Sequence, residues 1–217
     1  MIPYPKIDTL LERDEKFKVK RDAWKKPSFE YLASRDWIFT EKIHGTNIQV
    51  EWSAVTRTYC LGGRKGTVSD IPPFLVKKLE SIFDPRSEQI TAMFKDTASS
   101  VTFYGEGFGA KIQKGGGNYI PDGVDFALFD ILVRTPEHNW WLERSNIAVI
   151  AHQLGLTVAP VIGTGTLCDA IDMAEEGITS IWGNFPAEGL VVKPAVELLE
   201  RSGERVIGKI KTADFLK

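Results

Sequence analysis

The sequence has few of the features that mark secreted, membrane-spanning or zinc-binding proteins. Its 217 residues contain only two cysteines, Cys60 and Cys168, which lie far apart and form no CxxC pair. They indicate a reduced, intracellular protein, and they also leave a single disulfide open. No stretch approaches the ~18 apolar residues of a membrane span, and the first residues carry prolines and charges where a signal peptide would be apolar. We therefore expect a cytoplasmic protein with no membrane association.

A large excess of positive charge is also missing. The formal net charge is -2, which argues against a protein that holds nucleic acid mainly by its overall charge. Residues 13–26 are a local exception, with seven basic residues and the aromatics Phe17 and Trp24 between them. This mixture suits contact with phosphates and bases. Because three acidic residues lie in the same segment, an ordinary solvated surface is the favoured interpretation.

Hydrophobic patterning predicts an α+β chain with antiparallel sheets. Residues 47–52 alternate, which places Ile48, Val50 and Trp52 on one face of a strand. Residues 126–133 are almost continuously apolar and are expected in the core. Further strands are predicted at residues 36–42, 58–61, 100–106, 187–193 and 205–211, and helices at residues 73–83, 143–154 and 167–176. No repeat or linker divides the chain.

The central clue is a lysine at the end of a predicted strand. Lys42 lies in EKIHGTN (residues 41–47), where a glycine turn leads into the next strand. An ordinary lysine, with a reference pKa of ~10.4, is protonated at neutral pH and cannot attack phosphorus. A partly buried site among other cations favours the neutral amine. The sequence offers such cations if distant segments converge: Arg64, Lys193, Lys209 and Lys211.

Six segments in order resemble the motifs of the covalent nucleotidyltransferases, which include DNA ligases, RNA ligases and mRNA capping enzymes. KIHG at residues 42–45 resembles their lysine nucleophile motif. The others are GRKG at 63–66, FYGEGFG at 103–109, FALFDI at 126–131, EGLVVK at 188–193 and KIK at 209–211. The histidine at position 44, where DNA ligases have aspartate, and the tract 109–119 are similar to phage-type, nick-sealing RNA ligases of the RNA ligase two family.

The resemblance implies a fold and an activity. The fold would be that of DNA ligases and mRNA capping enzymes, which is ATP-grasp-like and has antiparallel sheets flanking an ATP cleft. One adenylyltransferase domain would cover residues 1–217, with no separate OB or C-terminal domain that clamps nucleic acid. The activity would be ATP-dependent joining of 5′-phosphate and 3′-hydroxyl ends through a lysine–AMP intermediate and an adenylylated 5′ end.

The same resemblance implies cofactors and partners. ATP would donate AMP, and Mg²⁺ or Mn²⁺ would assist. The partner would be RNA with a 5′-phosphate or adenylylated end. The protein would be a monomer that acts in RNA repair, in the host cytoplasm if it is phage-encoded.

A role is also implied for each residue that matches a motif. The catalytic residues would be Lys42, His44, Glu188, Lys209 and Lys211. The ATP or AMP contacts would be Glu41, Lys42, Ile43, Arg64, Glu106, Phe129, Glu188, Lys193, Lys209 and Lys211. The metal would be held mostly through water by Glu106, Glu188 and Asn47.

Some of these roles have a specific physical content. Phe129 would stack on adenine, whereas composition alone favours a core phenylalanine. Arg64 and Glu106 would hold the ribose. Lys209 and Lys211, two apart on a strand, would point to the same face and reach one phosphate.

Several alternatives stay open at this point. A DNA ligase or a GTP-using capping enzyme would share the motifs, although His44 argues against both. A non-catalytic module could keep the pocket and bind nucleotide or RNA. The glycines at 105, 107 and 109 do not have the spacing of a dinucleotide-binding fold, and the sequence has neither a P-loop nor a Cys/His cluster for zinc.

Overall fold

The computed structural model describes residues 1–16 and 18–215. Phe17 of the basic segment lies outside the described residues. The helices are α1 (Pro27–Leu32), α2 (Pro73–Phe83), α3 (Ser87–Phe94), α4 (Arg144–Leu154) and α5 (Leu167–Glu176). The strands are β1 (Asp8–Thr9), β2 (Leu11–Arg13), β3 (Val19–Trp24), β4 (Trp37–Glu41), β5 (Thr46–Ser53), β6 (Thr58–Gly62), β7 (Ser100–Gly109), β8 (Val124–Arg134), β9 (Asn139–Trp141), β10 (Val161–Gly165), β11 (Gly189–Pro194) and β12 (Gly208–Lys211).

The chain forms two compact units, each with its own hydrophobic core. Unit 1 comprises Met1–Pro5 and His44–Ala159, and unit 2 comprises Lys6–Ile43 and Pro160–Lys217. The boundary runs through the candidate nucleophile motif, because Lys42 belongs to unit 2 and His44 to unit 1.

Unit 1 is built on an antiparallel sheet with the strand order β6-β5-β7-β8-β9. The predicted alternation in residues 47–52 is confirmed, since Ile48, Val50 and Trp52 are all buried in one cluster. The apolar residues of β8 enter the same cluster, as predicted, and α2 and α4 pack against this strand. The opposite face of the sheet is left to more polar side chains of β5 and β7.

Unit 2 contains a second five-stranded sheet with the order β1-β12-β11-β4-β10. Its pairings are antiparallel except for the parallel pair of β1 with β12. Helix α5 packs against β11 and β12 over a core that includes Phe39, Leu190 and Ile210. Thr166 begins α5 with a capping box to Asp169, which satisfies backbone donors at the start of the helix.

The prediction of an α+β chain with antiparallel sheets is confirmed, with one correction to a strand. Residues 205–211 do not form one strand, since β12 begins only at Gly208. The side chain of Arg205 instead turns to the carboxylate of Glu197, at 2.5 and 2.8 Å, and the Val206 N–H donates to Leu198. The sequence analysis also missed helices α1 and α3, the separate pair of strands β2 and β3, and the edge strands β1, β9 and β10. No helix in the described residues is long and apolar enough to cross a membrane.

Candidate functional site

Three neighbouring strands of unit 2 bring Lys42, Glu188 and Lys211 together. Lys42 follows β4, Glu188 precedes β11, and Lys211 ends β12. The backbone N–H of Lys42 donates to the carbonyl of Gly189 over 2.9 Å, and Gly189 is also the register partner of Lys211. The sheet therefore aligns three segments that are far apart in sequence.

The carboxylate of Glu188 bridges the two lysines. Its Oε2 accepts from Lys42 Nζ at 2.5 Å, and its Oε1 accepts from Lys211 Nζ at 2.7 Å. The side chains of Lys42 and Glu188 are only 23% and 15% exposed, so their attraction is screened less than that of a surface pair. A second cation, Lys211, therefore lies at the strand end that carries Lys42, as the sequence predicted for a convergence of distant segments.

The same two lysines determine the ionisation of Glu188. Burial pushes the pKa of this carboxyl upward, but the nearby charges of Lys42 and Lys211 and their hydrogen bonds outweigh burial and hold the pKa below its usual value. Glu188 is therefore an anion at neutral pH. Since Lys42 donates to that anion, the contact must open before the amine can act as a nucleophile.

Gly189 allows the strands around this bridge to come close. Its φ of +149° lies outside the region that side chains favour, and a Cβ there would lie 2.1 Å from the carbonyl oxygen of Ile210. Only glycine fits such an approach without movement of the backbone. Gly189 therefore fixes the spacing between the Glu188 backbone and β12.

We expect Gly189→Ala to destabilise unit 2 by on the order of 3 kcal/mol, because strain at φ adds to a backbone clash. Gly203→Ala is a matched control: Gly203 also has a positive φ, of +85°, but a Cβ there has nothing within 4 Å. Chemical unfolding of both variants measures the difference. Equal losses in the two variants would show that the clash at Gly189 is unimportant.

Other predicted residues of unit 2 occupy the strands around the bridge. On β12, Lys209 and Lys211 flank the buried Ile210 and point to the opposite face, which agrees with their predicted shared face. Lys193 alternates with the buried Val192 on β11 and lies on that same outer face. Ile43, beside Lys42, is buried.

Glu41 lies on the strand before Lys42, but its carboxylate is buried and only 2% of the residue is exposed. One of its oxygens accepts from Ser180 Oγ at 2.6 Å and the other from the Ile181 N–H at 3.1 Å. In this structure Glu41 therefore holds the loop at residues 180–181 to the end of β4. An ATP contact by Glu41 stays a prediction.

Unit 1 places Asn47 and Glu106 opposite each other on β5 and β7. The Asn47 Oδ1 atom is buried and has no hydrogen-bond partner in the structure. An amide oxygen beside a carboxylate is the kind of ligand set that hard divalent cations take, usually with waters and phosphate oxygens completing the shell. No group of three or more His, Cys, Asp or Glu side chains able to hold a metal occurs in the described ranges.

Arg64 lies exposed in the turn after β6, and the sequence did not reveal what supports it. The buried side chain of Gln49 donates to the carbonyl of Gly63 at 3.0 Å and to that of Arg64 at 3.5 Å. Gln49 is two residues after Asn47 on the polar side of β5, and this alternation is the only signal that could have indicated it.

Phe129 occupies a bulge in β8. Tyr104 of β7 pairs with Asp130 and Gly105 with Leu128, which leaves Phe129 as the extra residue. Bulges redirect side chains and are common beside functional sites. Phe129 is only partly buried, in contrast to a core phenylalanine. Its ring centroid lies 4.9 Å from that of Tyr4, in an edge-to-face arrangement.

Tyr4 is a second residue that sequence reasoning missed. Its hydroxyl donates to Asp130 Oδ2 at 2.6 Å, and its ring packs near Tyr104 and Trp141. Asp130 is fully buried, so this hydrogen bond anchors the first residues of the chain beside the Phe129 bulge. No local pattern in the sequence signals the contact.

His44 begins unit 1 at the turn after Lys42. Its backbone N–H donates to the hydroxyl of Tyr119 at 3.3 Å. His44 is thereby joined to the loop that follows β7, within the tract noted at residues 109–119.

The basic segment at residues 13–26 is partly neutralised. Arg13 pairs with Asp214 at 2.5 Å, Arg21 pairs with Glu175, and Lys26 contacts Asp8 and Glu204 at 3.2 and 3.4 Å. These pairs favour the interpretation of an ordinary surface segment.

Comparison with known proteins finds similarity to RNA ligases. The model of the RNA ligase family matches residues 35–211, which is most of the chain. A structure of an archaeal ATP-dependent RNA ligase aligns with a TM-score of 0.65 and 16% identity, over 99% of this chain and 49% of that one. A mutant of the Naegleria gruberi RNA ligase with ATP and Mn aligns with a TM-score of 0.62 and 18% identity, over 98% of this chain and 63% of that one.

The structural similarity, at this level of identity, establishes a shared fold. The chain spans 49% of the archaeal protein and 63% of the Naegleria protein. Both matches extend over nearly all of this chain, and the family match at residues 35–211 includes Lys42, Glu188 and Lys211.

Proposed function

The chain belongs to the RNA ligase family, and we propose that it is an ATP-dependent RNA ligase that carries AMP on Lys42. The bridge of Lys42, Glu188 and Lys211 is the observation that carries the proposal. It joins the end of β4 to the motif segments on β11 and β12 at hydrogen-bond distance. The proposal includes the ATP cleft that the nucleotidyltransferase fold implies.

The reaction would begin with attack of the neutral Lys42 amine on the α-phosphorus of ATP. A P–N bond forms, the bond from the α-phosphorus to the bridging oxygen breaks, and pyrophosphate leaves. The nitrogen becomes positively charged when it bonds to phosphorus, and it loses one proton to solvent to give the phosphoramidate. The AMP then passes to the 5′-phosphate of RNA, and a 3′-hydroxyl displaces it to form the phosphodiester. Splitting one displacement into several is the advantage of a covalent intermediate.

The other lysines of the unit 2 sheet would supply charge rather than bonds. Lys193, Lys209 and Lys211 share the outer face of the unit 2 sheet, where cations can stabilise negative phosphoryl oxygens. Opening of the contact between Lys42 and Glu188 would free the amine and leave Glu188 with Lys211. Phe129, the extra residue of the bulge in β8, would stack on adenine, and Arg64 and Glu106 would hold the ribose.

The donor chemistry within each unit suits a divalent cation. Asn47 brings a buried oxygen without a hydrogen-bond partner, beside Glu106, and Glu188 brings an ionised carboxylate. A bound Mg²⁺ or Mn²⁺ would neutralise charge on the phosphate oxygens. The Naegleria relative with ATP and Mn supports this choice of nucleotide and metal.

The partner we propose is RNA with a 5′-phosphate or adenylylated end. The family match supports RNA over DNA as the class of substrate. A monomeric state, a location in the host cytoplasm, a phage origin and a role in RNA repair stay predictions from the sequence.

The proposal is tested by incubating the chain with Mg²⁺ and ATP radiolabelled at either the α- or the γ-phosphate. We expect a labelled protein band on a denaturing gel with the α-label alone, and we expect pyrophosphate to remove it. GTP and NAD, offered in place of ATP, should compete poorly. No label from any donor, even after pyrophosphate treatment to remove AMP already attached, would reject the ligase and favour a non-catalytic binding module.

A further inference from the structure

The loop at residues 110–120, between β7 and β8, is closely folded onto the ends of both strands. The Ala110 N–H contacts the carbonyls of Ile120 at 3.1 Å and Gly123 at 2.8 Å. A Cβ at Gly116 would lie 2.1 Å from the carbonyl oxygen of Gly109. This close approach of two backbone segments limits the conformations open to the loop, although glycines are frequent in it.

Two exposed lysines project from this loop, Lys111 and Lys114. Lys111 has a φ of +68°, in the left-handed region that glycine adopts without steric cost. Strained non-glycine residues of this kind cluster at functional sites. A lysine in a backbone conformation that favours glycine is therefore a candidate for a functional side chain.

The loop is also joined to the candidate site. The hydroxyl of Tyr119 accepts the hydrogen bond from the His44 N–H. The Tyr119 ring packs on Phe108, with 5.6 Å between the ring centroids. His44 is one of the catalytic residues that the family resemblance implies. The two lysines therefore extend from the structure that holds His44.

The charge of the loop differs from that of the whole chain. Residues 110–120 contain two lysines and no Asp or Glu, whereas the chain has a net charge of -2. In the other basic segment, residues 13–26, Arg13, Arg21 and Lys26 have carboxylate partners. Of these two basic segments, only the loop has positive charges with no acidic residue in its own sequence.

We propose that the loop at residues 110–120 binds the phosphate backbone of the RNA strand, through Lys111 and Lys114, on the side of unit 1 next to His44. This inference rests on the proposed function and adds a surface for its substrate. Phosphate contacts of this kind position a strand and carry no sequence preference. The loop would therefore serve the two RNA steps and would be unnecessary for transfer of AMP to Lys42.

The test uses variants that remove charge without straining the backbone. Lys111→Gly suits the positive φ and should fold at least as well as the wild type, and Lys114→Gln removes the second charge. Arg57→Gly is a matched control, because Arg57 is also an exposed cation with a positive φ, of +55°. It lies beyond Ser53, at the end of β5 opposite to Thr46, which pairs with Gly107, a strand length of roughly 25 Å away. Lys95→Gln is the control for Lys114.

The measurements are binding of a 5′-adenylylated RNA strand annealed beside a 3′-hydroxyl strand, sealing of that nick, and self-labelling with α-labelled ATP. We expect each loop variant to lower the slope of log affinity against log salt by about one. We also expect several-fold slower sealing at limiting RNA, unchanged labelling, and wild-type behaviour in both controls.

Each other outcome has a defined meaning. Loop variants that match the controls in salt slope and sealing would overturn the proposal, and so would controls that lose as much as the loop variants. Loss of labelling in the loop variants would assign the loop to the ATP step instead. If the wild type itself took no label, the proposed function would fail, and the variants would not be needed to show it.

Discussion

Lys42→Ala is expected to abolish labelling of the chain by α-labelled ATP, while sealing of RNA that is already adenylylated continues. Removal of an enzyme nucleophile lowers rates by on the order of 10⁶, which is below detection on a gel. The third step needs no lysine–AMP bond, since the AMP is already on the RNA. The variant should therefore separate the first step from the last.

Lys42→Arg sharpens this test. Arginine keeps its positive charge and can still pair with Glu188, but it does not lose its proton in proteins. Both variants should fail to take label, and the arginine variant should keep more of the wild-type stability because the Glu188 anion retains two cations. A labelled band in Lys42→Ala would show that another residue is the nucleophile. A lack of sealing by both variants, with thermal unfolding like that of the wild type, would assign Lys42 a part in the last step.

Local signals in the sequence predicted the inner elements of the fold well. Helix α2 and helix α5 begin and end at the predicted residues, because Pro73 and the Thr166 cap mark their starts and the apolar residues recur at helical spacing. The central strands β5 and β8 were predicted within two residues at each end. Strong alternation or a continuous apolar run leaves little freedom in such segments.

Elements that depend on distant partners were not predictable in this way. Strand β1 has two residues and forms only by pairing with β12. Tyr4 reaches Asp130 across 126 positions of sequence, and neither residue has a local pattern that indicates the other. The bulge at Phe129 arises from the register between β7 and β8, which the composition of β8 does not determine.

The candidate site was predicted from motif order, and the structure adds its physical basis within each unit. The motifs indicated that Lys42, Glu188 and Lys211 act together, and the strand order β12-β11-β4 is what makes their contact possible. The importance of Gly189 follows only from the backbone geometry, and that of Gln49 follows from its side-chain hydrogen bonds to residues 63 and 64. For Glu41 the motif implied a ligand contact, whereas the structure shows a buried carboxylate that holds residues 180–181.

Glu188→Gln is expected to lower the rate of lysine adenylylation by about 10² to 10³, the usual loss when one preorganised charge is removed from a reacting centre. Glutamine has nearly the same shape but no charge. The change removes the anion proposed to help hold the cation at the α-phosphate, and it leaves Lys42 and Lys211 as two like charges without their shared partner. The loss should appear at saturating ATP, since the variant leaves the nucleotide contacts that we propose for unit 1 unchanged.

The same variant is expected to change how stability depends on pH. The pKa of Glu188 is lower in the fold than its ordinary value of 4.5, so the unfolded chain binds a proton more readily than the folded chain. The contribution of this group to stability is therefore complete above pH 4.5 and is lost as the pH falls from there through the lower folded pKa. Glu188→Gln should lose stability at neutral pH and show a shallower further loss across that acid range.

Glu197→Gln is the matched control for the effect on adenylylation. It also removes a carboxylate that pairs with a buried cation of unit 2, Arg205, at 2.5 and 2.8 Å, but it lies outside the Lys42 bridge. We expect it to lower stability in urea while adenylylation by the folded protein stays near the wild-type rate. Adenylylation that falls equally in the two variants would mean that Glu188 acts only through the stability of unit 2. Loss confined to Glu188→Gln would mean that its charge takes part in the transfer of AMP to Lys42.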